Sequence, residues 1–169
     1  MAGLDPQLIK LAAAIDELEA GIARKTAQIA GNDLVALITT RIIQTGKNEK
    51  GQNFTPYSTR PMNAAKLKGK SRRDSAERAV TALAKVGGTM SYRKFREING
   101  LKVDKKNFEF TGEMFRQFGV IDFSGSGGDF IVLLDGKSNE SKRKLARAAK
   151  LEGGSIVEAS AQEIDLLER

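Results

Sequence analysis

The sequence predicts an α+β fold in which N-terminal helices pack with a small, mostly antiparallel sheet, followed by an extended loop or arm and C-terminal helices. Apolar residues recur at helical spacing near both ends of the chain, and a polar, basic stretch lies between them. Two apolar runs, at 117–123 and 130–134, flank a glycine-rich turn and indicate a β-hairpin. A length of 169 residues suits a single domain, 1–169, with a basic loop or arm at about 46–90.

The N-terminal region has apolar residues at helical spacing, namely Leu8, Leu11, Ile15, Leu18, Ile22 and Ile29. This pattern predicts a helix over residues 5–30. Gly31 then interrupts it, and Asp33 is suited to cap a second helix over Leu34–Gln44. The two segments form either an antiparallel hairpin or one kinked rod, and we favour the hairpin.

Three further helices are predicted. Asp74–Val86 carries an apolar stripe and ends at two glycines, and Asn139–Leu151 is a basic helix with a narrow apolar face. Near the C-terminus, Ser160 and Glu163 have the Ser-x-x-Glu spacing of a capping box that opens a final helix.

Composition argues against an enzyme. The chain has no His and no Cys, which excludes Ser-His-Asp triads, His-based metal sites and thiolate chemistry. The carboxylates do not cluster, so no metal site, cofactor or catalytic residue is predicted. Gly125–Gly128 is a hairpin turn rather than a phosphate loop, because no Lys-Ser/Thr pair follows it. No apolar run approaches the ~20 residues of a membrane span, so we expect a soluble, cytosolically made protein.

Positive charge is concentrated in the middle of the chain. The net charge is +7, but residues 41–109 hold 17 Lys and Arg against 6 Asp and Glu, a net of +11, and the remainder carries −4. A basic run comprises Lys66, Lys68, Lys70, Arg72 and Arg73. This run is either a solvated segment or a contact for phosphates or an acidic surface. No aromatic residue lies between Tyr57 and Tyr92, so no dedicated single-strand groove is predicted.

The sequence GKNEKG at 46–51 has the composition of a turn and is followed by Phe54 and Tyr57. We expect these rings to hold the loop on the core while its polar tip meets another subunit. Phe110, Met114 and Phe118 are assigned to internal packing. The predicted contact residues are Gly46, Lys47, Asn48, Glu49, Lys50, Gly51 and Arg60. The alternative is a solvated loop between elements.

The order of these motifs resembles a family of tailed-phage proteins known as tail-completion, head–tail joining or virion-morphogenesis proteins. The matching residues are Arg41, Ile42, Gly46, Asn48, Gly51, Phe54, Pro56, Ser58, Lys66, Phe110, Thr111, Gly112, Met114 and Phe118. The resemblance covers roughly residues 34–134. It implies a structural subunit with no catalysis and no cofactor.

The resemblance also implies partners and a location. It predicts a homo-oligomeric ring at the head–tail junction of a virion, made in the host cytoplasm. The ring would contact other neck, portal or tail proteins and would touch packaged DNA non-specifically. The alternative hypothesis is a basic DNA-binding accessory protein that uses residues 66–73 and 142–150. Neither hypothesis includes a membrane.

Overall fold

Six helices and four short strands are present in the part of the chain that the computed structural model describes, residues 6–106, 108, 113–126 and 129–168. The helices are α1 (Pro6–Thr45), α2 (Asp74–Lys85), α3 (Tyr92–Ile98), α4 (Glu113–Arg116), α5 (Asn139–Glu152) and α6 (Ala161–Leu167). The strands are β1 (Pro61–Asn63), β2 (Thr89–Ser91), β3 (Phe118–Ser126) and β4 (Asp129–Gly136). This arrangement confirms the predicted α+β class.

The N-terminal region is one continuous helix, α1, of 40 residues, so the predicted helical hairpin is wrong. Gly31 lies inside the helix and is buried against the β3–β4 hairpin. A Cβ atom at this position would lie 2.8 Å from Val132 Cγ1 and 2.9 Å from Val120 Cγ2. Glycine here therefore lets the helix approach the sheet closely, and it does not end the helix.

Strands β3 and β4 form the predicted antiparallel hairpin, with pairs running from Phe118–Gly136 to Ser126–Asp129. The register shifts by one residue between Val120 and Asp122, as in a β-bulge. Helix α1 packs on this hairpin and on α6. The strand β3 continues through residues 124–126, which the sequence pattern assigned to the turn.

The main hydrophobic core lies between the C-terminal half of α1, helices α4 and α5, and strand β3. Its buried members are Ile38, Ile42, Phe54, Met114, Phe115, Phe118, Leu145, Ala148 and Ile156. The buried Ser141 hydroxyl of α5 donates a hydrogen bond to the Met114 carbonyl oxygen at 3.0 Å. This bond joins two of the packed helices inside the core.

The middle of the chain is more ordered than the extended loop or arm that was predicted for 46–90. It contains the β1–β2 pair, a 3-10 turn at Ala64–Leu67 and the predicted helix α2. A second, smaller core joins these elements to α3 through Leu67, Val80 and Phe95. Because its apolar residues are widely spaced in short segments, the periodicity of any one segment does not reveal this core.

Candidate functional site

The loop that follows α1 is closed at its base by Gly46. The Gly46 N–H donates to the Ile42 carbonyl at 3.0 Å, and the Gly46 carbonyl accepts from the Phe54 N–H at 3.0 Å. Gly46 has a φ of 67°, and a Cβ atom there would lie 2.9 Å from Lys105 Cβ. Gly46 is therefore a buried structural residue, which corrects its assignment to the contact surface.

The loop tip is folded around the side chain of Asn48. Its Oδ1 accepts from the backbone N–H groups of Lys50 at 3.0 Å and Gln52 at 2.9 Å. Gly51 has a φ of 75° and donates to the Asn48 carbonyl at 3.1 Å. Lys47, Lys50 and Gly51 are exposed. These local bonds define the shape of the tip before any partner binds.

Arg41 joins this loop to the C-terminal helix. Its Nε donates to Glu163 Oε1 at 2.9 Å, one terminal nitrogen donates to the Lys47 carbonyl at 2.9 Å, and the other donates to the Glu158 carbonyl at 2.7 Å. The second Glu163 oxygen accepts from the Ser160 N–H at 2.7 Å, which completes the predicted capping box. The side chains of Arg41 and Glu163 are only 14% and 8% exposed, so this ion pair is largely shielded from water.

Phe54 and Tyr57 are both buried, as predicted, but they enter different cores. Phe54 lies in the main core and meets the Phe108 ring edge-on, with a centroid distance of 4.9 Å. Tyr57 lies 5.9 Å from Tyr92, beside the second core, and the Arg96 guanidinium carbon is 4.1 Å from its ring centroid. The segment after the loop is therefore held on both cores.

Glu152 attaches the same segment to α5. Its carboxylate accepts from the Thr55 N–H at 2.8 Å and pairs with the Lys106 ammonium. Burial would raise the pKa of Glu152, but the hydrogen bonds from Lys106 and Thr55 and the charge of Lys106 outweigh burial. The pKa of this carboxyl consequently lies below its ordinary value.

The basic run is exposed but attached to the fold. Lys66, Lys68, Lys70, Arg72 and Arg73 all have exposed side chains, as does Arg60. The Arg72 N–H donates to Asn99 Oδ1 at 2.7 Å, and the Gly69 N–H donates to Glu77 Oε1 at 2.8 Å. The bond from Gly69 holds the pKa of Glu77 below its ordinary value. The run is thus neither a helix face nor an unattached linker.

A cleft of about 830 Å³ lies between the two cores. Its apolar lining includes Tyr57, Met62, Tyr92, Phe108 and Met114, and its basic lining consists of Lys66, Lys70, Arg96, Lys106, Lys144 and Arg147. No acidic residue is among the described residues that line it. The cleft combines aromatic surface with positive charge, which is the chemistry that suits an extended polyanion or an acidic peptide.

Half of the basic residues in the cleft already have partners. Arg96 donates twice to the Lys102 carbonyl, Lys106 pairs with Glu152, and Lys144 is 2.7 Å from Glu140. Within the described parts of the chain, Lys66, Lys70 and Arg147 are exposed and have no carboxylate within ion-pair distance.

The structure brings together some predicted contact residues and separates others. Lys66 and Lys70 share the cleft with Arg147, about 80 positions away in the sequence. Lys68, Arg72 and Arg73 are outside it.

The role of Glu163 as the partner of Arg41 was not predicted, although the capping-box spacing marked it as a fixed side chain. Phe110, Thr111 and Gly112 lie outside the described residues.

The described residues contain neither a metal-binding cluster nor a membrane-spanning helix, and no known protein matches the chain. No group of three or more His, Cys, Asp or Glu residues in the described ranges is arranged to hold a metal ion. None of the described helices combines the length and apolar character that crossing a membrane requires. Comparisons with protein-family models, with curated proteins and with solved structures found no match.

Proposed function

We propose that this chain is a structural virion protein of a tailed phage, a ring-forming neck or tail-completion subunit that joins the portal end of the head to the tail. The supporting observation is the loop at 46–54. Five residues that carry the family resemblance have distinct roles in it: Arg41, Gly46, Asn48, Gly51 and Phe54. Together they hold the base of the loop and present its tip to another molecule. The proposed role is non-catalytic and uses no cofactor.

The contact surface that we propose consists of the loop tip, Lys47–Gly51, in which Asn48 and Glu49 are half-buried, together with the exposed Arg60. A ring is built from heterologous contacts, in which one patch of a subunit meets a different patch of the next. The basic tip suits an acidic neighbour, and the residues outside 41–109 carry a net charge of −4. The neighbours are a second copy of this chain and, above and below the ring, portal and tail proteins.

Charge reversal at the loop tip tests the ring. We expect the purified chain to form a closed oligomer, visible by negative-stain electron microscopy and by mass photometry. The variant Lys47→Glu/Lys50→Glu should lose this oligomer, whereas Lys68→Glu/Lys85→Glu, an equal charge change at other exposed positions, should keep it. A tip variant that still forms rings would contradict the proposed contact.

The second candidate function is binding of DNA or another polyanion, and the basic cleft is the observation that favours it. Lys66, Lys70 and Arg147 supply charge that no described carboxylate neutralises, and aromatic rings line the cleft beside them. A ring protein that only touches packaged DNA should bind duplex weakly, and raising the salt concentration should abolish that binding steeply. A dedicated DNA-binding protein should hold duplex near physiological salt.

A salt titration of duplex binding, followed by fluorescence anisotropy, separates these two functions. The variant Lys66→Gln/Arg147→Gln should make the negative slope of log K against log salt shallower by about 2 if both residues contact phosphates. Lys68→Gln/Lys85→Gln is the matched control, because neither residue lines the cleft. Equal slopes for the two double variants would exclude the cleft as the DNA site.

A further inference from the structure

Between residues 11 and 29, α1 exposes a row of large apolar side chains. We call this row the apolar stripe, and its members with their exposed fractions are Leu11 (58%), Ile15 (48%), Leu18 (65%), Ile22 (58%) and Ile29 (61%). At 1.5 Å per residue the stripe is about 27 Å long. An apolar row of this length, broken only at Lys25, is uncommon on a surface that faces only water.

The stripe lies on the side of α1 that faces away from the rest of the fold. Gly31 and Ile38 are buried, and they mark the face that packs on the sheet and the main core. With 100° of rotation per residue, Ile22 and Ile29 lie roughly 160–200° around the helix from those two residues. The chain's own sheet therefore cannot cover the stripe while α1 remains one helix.

The spacing of the stripe is that of a coiled-coil seam. Its residues alternate four and three positions apart from Leu11 to Ile22, and Ile29 follows one heptad later. Isoleucine occupies the a positions at 15, 22 and 29, and leucine occupies the d positions at 11 and 18. Apolar a and d positions of this kind form a seam that packs against the same kind of seam on another helix. The remaining d position within the stripe is Lys25.

We propose that the apolar stripe packs against the same stripe of a second copy of this chain, as an antiparallel two-helix coiled coil. The seam positions are spaced symmetrically about residue 20. When two copies pair antiparallel about this point, every apolar residue of the stripe faces a seam position of the other copy. The facing pairs are Leu11 with Ile29, Ile15 with Lys25, and Leu18 with Ile22. Each contact is made twice, as two-fold symmetry requires.

The charges beside the stripe decide the direction of pairing. In a parallel, in-register pair, Lys25 of one copy would face Lys25 of the other inside the seam. In the antiparallel pair, Lys25 faces Ile15 of the second copy, and that residue is followed by Asp16 and, one turn later, Glu19. The antiparallel arrangement thus removes the like-charge contact from the seam and places Lys25 near two acidic residues of the second copy.

This inference rests on α1 alone and does not require the proposed virion function. The surface is different from the loop tip, so the two contacts can occur in the same assembly, where the coiled coil would link copies from separate rings or separate ring positions. Each contact can also be removed without changing the residues of the other.

Measuring the mass of the chain by analytical ultracentrifugation tests the self-association, with every chain carrying Lys47→Glu/Lys50→Glu so that the ring contact does not add to the measured mass. We expect Ile15→Glu/Ile22→Glu to raise the dissociation constant of the dimer at least ~100-fold, because it places two charges in the seam. Ala13→Glu/Ala20→Glu adds the same charge to exposed positions on the opposite face and should leave the dimer intact. If both double variants associate like the chain with the unmodified stripe, the stripe is not the contact. A monomeric chain with the unmodified stripe would also overturn the proposal.

Disulfide cross-linking tests the direction, because the chain contains no cysteine of its own. A mixture of Leu11→Cys and Ile29→Cys chains, distinguished by a tag, should form the mixed disulfide dimer on oxidation. Leu11→Cys alone should not cross-link to itself. A dimer of Leu11→Cys chains would instead establish parallel pairing and overturn the arrangement given above.

The failure of this inference can be distinguished from failure of the proposed ring. The tip variant Lys47→Glu/Lys50→Glu should abolish the ring but retain the mixed Leu11→Cys/Ile29→Cys cross-link. The stripe variant should retain the ring and lose that cross-link. Loss of both assemblies from the tip variant would show that the stripe does not pair independently.

Discussion

At the scale of single residues, Arg41 connects the loop to the C-terminal helix through three hydrogen bonds. One guanidinium group joins the end of α1, the loop carbonyl at Lys47 and the cap of α6. A lysine could not reproduce these bonds, because its donors emanate from a single ammonium group rather than a planar fork. The orientation of the loop and the position of the C-terminal helix therefore depend on the same side chain.

Removing the Arg41 side chain should destabilise the fold. We expect Arg41→Ala to lower the free energy of unfolding by about 2–4 kcal/mol, because it leaves the shielded Glu163 carboxylate without its charged partner. Arg41→Lys should recover only part of this loss. Urea denaturation followed by circular dichroism measures the effect. Arg93→Ala, which removes an exposed ion pair with Glu97 at 3.7 Å, is the control and should cost less than about 1 kcal/mol.

Truncating Phe54 should both weaken the core and loosen the loop. We expect Phe54→Ala to cost about 3–5 kcal/mol, since it leaves a cavity in the main core and removes the edge contact with Phe108. Trypsin should then cleave faster after Lys47 and Lys50. Val86→Ala, at a side chain that is 79% exposed, is the comparison and should leave both unfolding and cleavage unchanged. Unaltered protection of the two lysines in Phe54→Ala would contradict a role for this ring in holding the loop.

At the scale of elements, the two halves of α1 have different surroundings. Its C-terminal half packs on the β3–β4 hairpin and contributes Ile38 and Ile42 to the main core. Its N-terminal half is exposed between Lys10 and Ala20 and carries most of the apolar stripe. Of the two glycines in this helix, Gly21 is exposed and Gly31 is buried. The same substitution at both positions therefore compares an open site with a packed one.

Alanine at these two glycines should have opposite effects. A methyl group at Gly21 would meet no atom from outside its own stretch of helix within 4 Å, so Gly21→Ala should stabilise the helix by about 0.5–1 kcal/mol. Gly31→Ala would place its methyl group 2.8 Å from Val132 Cγ1, and we expect overpacking to make it about 1–3 kcal/mol less stable than Gly21→Ala. Thermal or urea unfolding of both variants gives the difference. Equal stabilisation by the two substitutions would mean that the helix does not approach the hairpin closely.

At the scale of the whole molecule, a few polar bonds connect segments from the two cores. Glu152 of α5 accepts from Thr55, which follows the loop, and pairs with Lys106, which follows α3. Arg96, buried in α3, lies over Tyr57 and donates to the Lys102 carbonyl. These contacts couple the ordering of the loop to the packing of both cores.

The Glu152 contacts should make stability fall in acid. The pKa of this carboxyl is lower in the folded chain than its ordinary value of 4.5. The contribution of the ionised Glu152 to the free energy of unfolding is therefore complete above pH 4.5 and is lost as the pH falls through the folded pKa. Glu152→Gln should therefore be less stable than the unmodified chain at pH 7, and the difference should shrink below pH 4.5. Urea unfolding at pH 7, 5 and 3.5 measures it, with the exposed Glu17→Gln as the single-charge control. A difference that is constant across this range would argue against the ionised contacts.

Some features of the fold could be predicted because they depend on neighbouring residues. The β3–β4 hairpin follows from two apolar runs around a glycine-rich turn, and the cap of α6 follows from the spacing of Ser160 and Glu163. The burial of Phe54 and Tyr57 follows from large rings that come directly after a polar turn. For the hairpin and the cap, the deciding residues lie within one short stretch of the chain. The rings of Phe54 and Tyr57 pack against Phe108 and Tyr92 from distant stretches, so the sequence predicts their burial but not their partners.

The candidate site could be predicted only in part. The sequence locates the polar loop tip and the basic run, but it also assigns Gly46 to the contact surface, because a glycine in a turn has the same local pattern whether it is exposed or buried. The burial of Gly46 depends on Lys105, about sixty positions away. The alternative hypothesis names both basic segments, 66–73 and 142–150. The sequence does not show that Lys66 and Arg147 line one cleft, because that depends on how distant parts of the chain pack.

The amino-acid sequence by itself determined the helical and strand periodicities, the charge distribution, the absence of histidine and cysteine, and the heptad spacing of the apolar stripe. The tertiary structure alone decided that Gly31 continues α1, that the middle of the chain has its own core, and that separate basic segments line one cleft. The physical reason is the separation in sequence between the residues that interact. Periodicity and capping act between residues a few positions apart, whereas close packing depends on which distant surfaces meet.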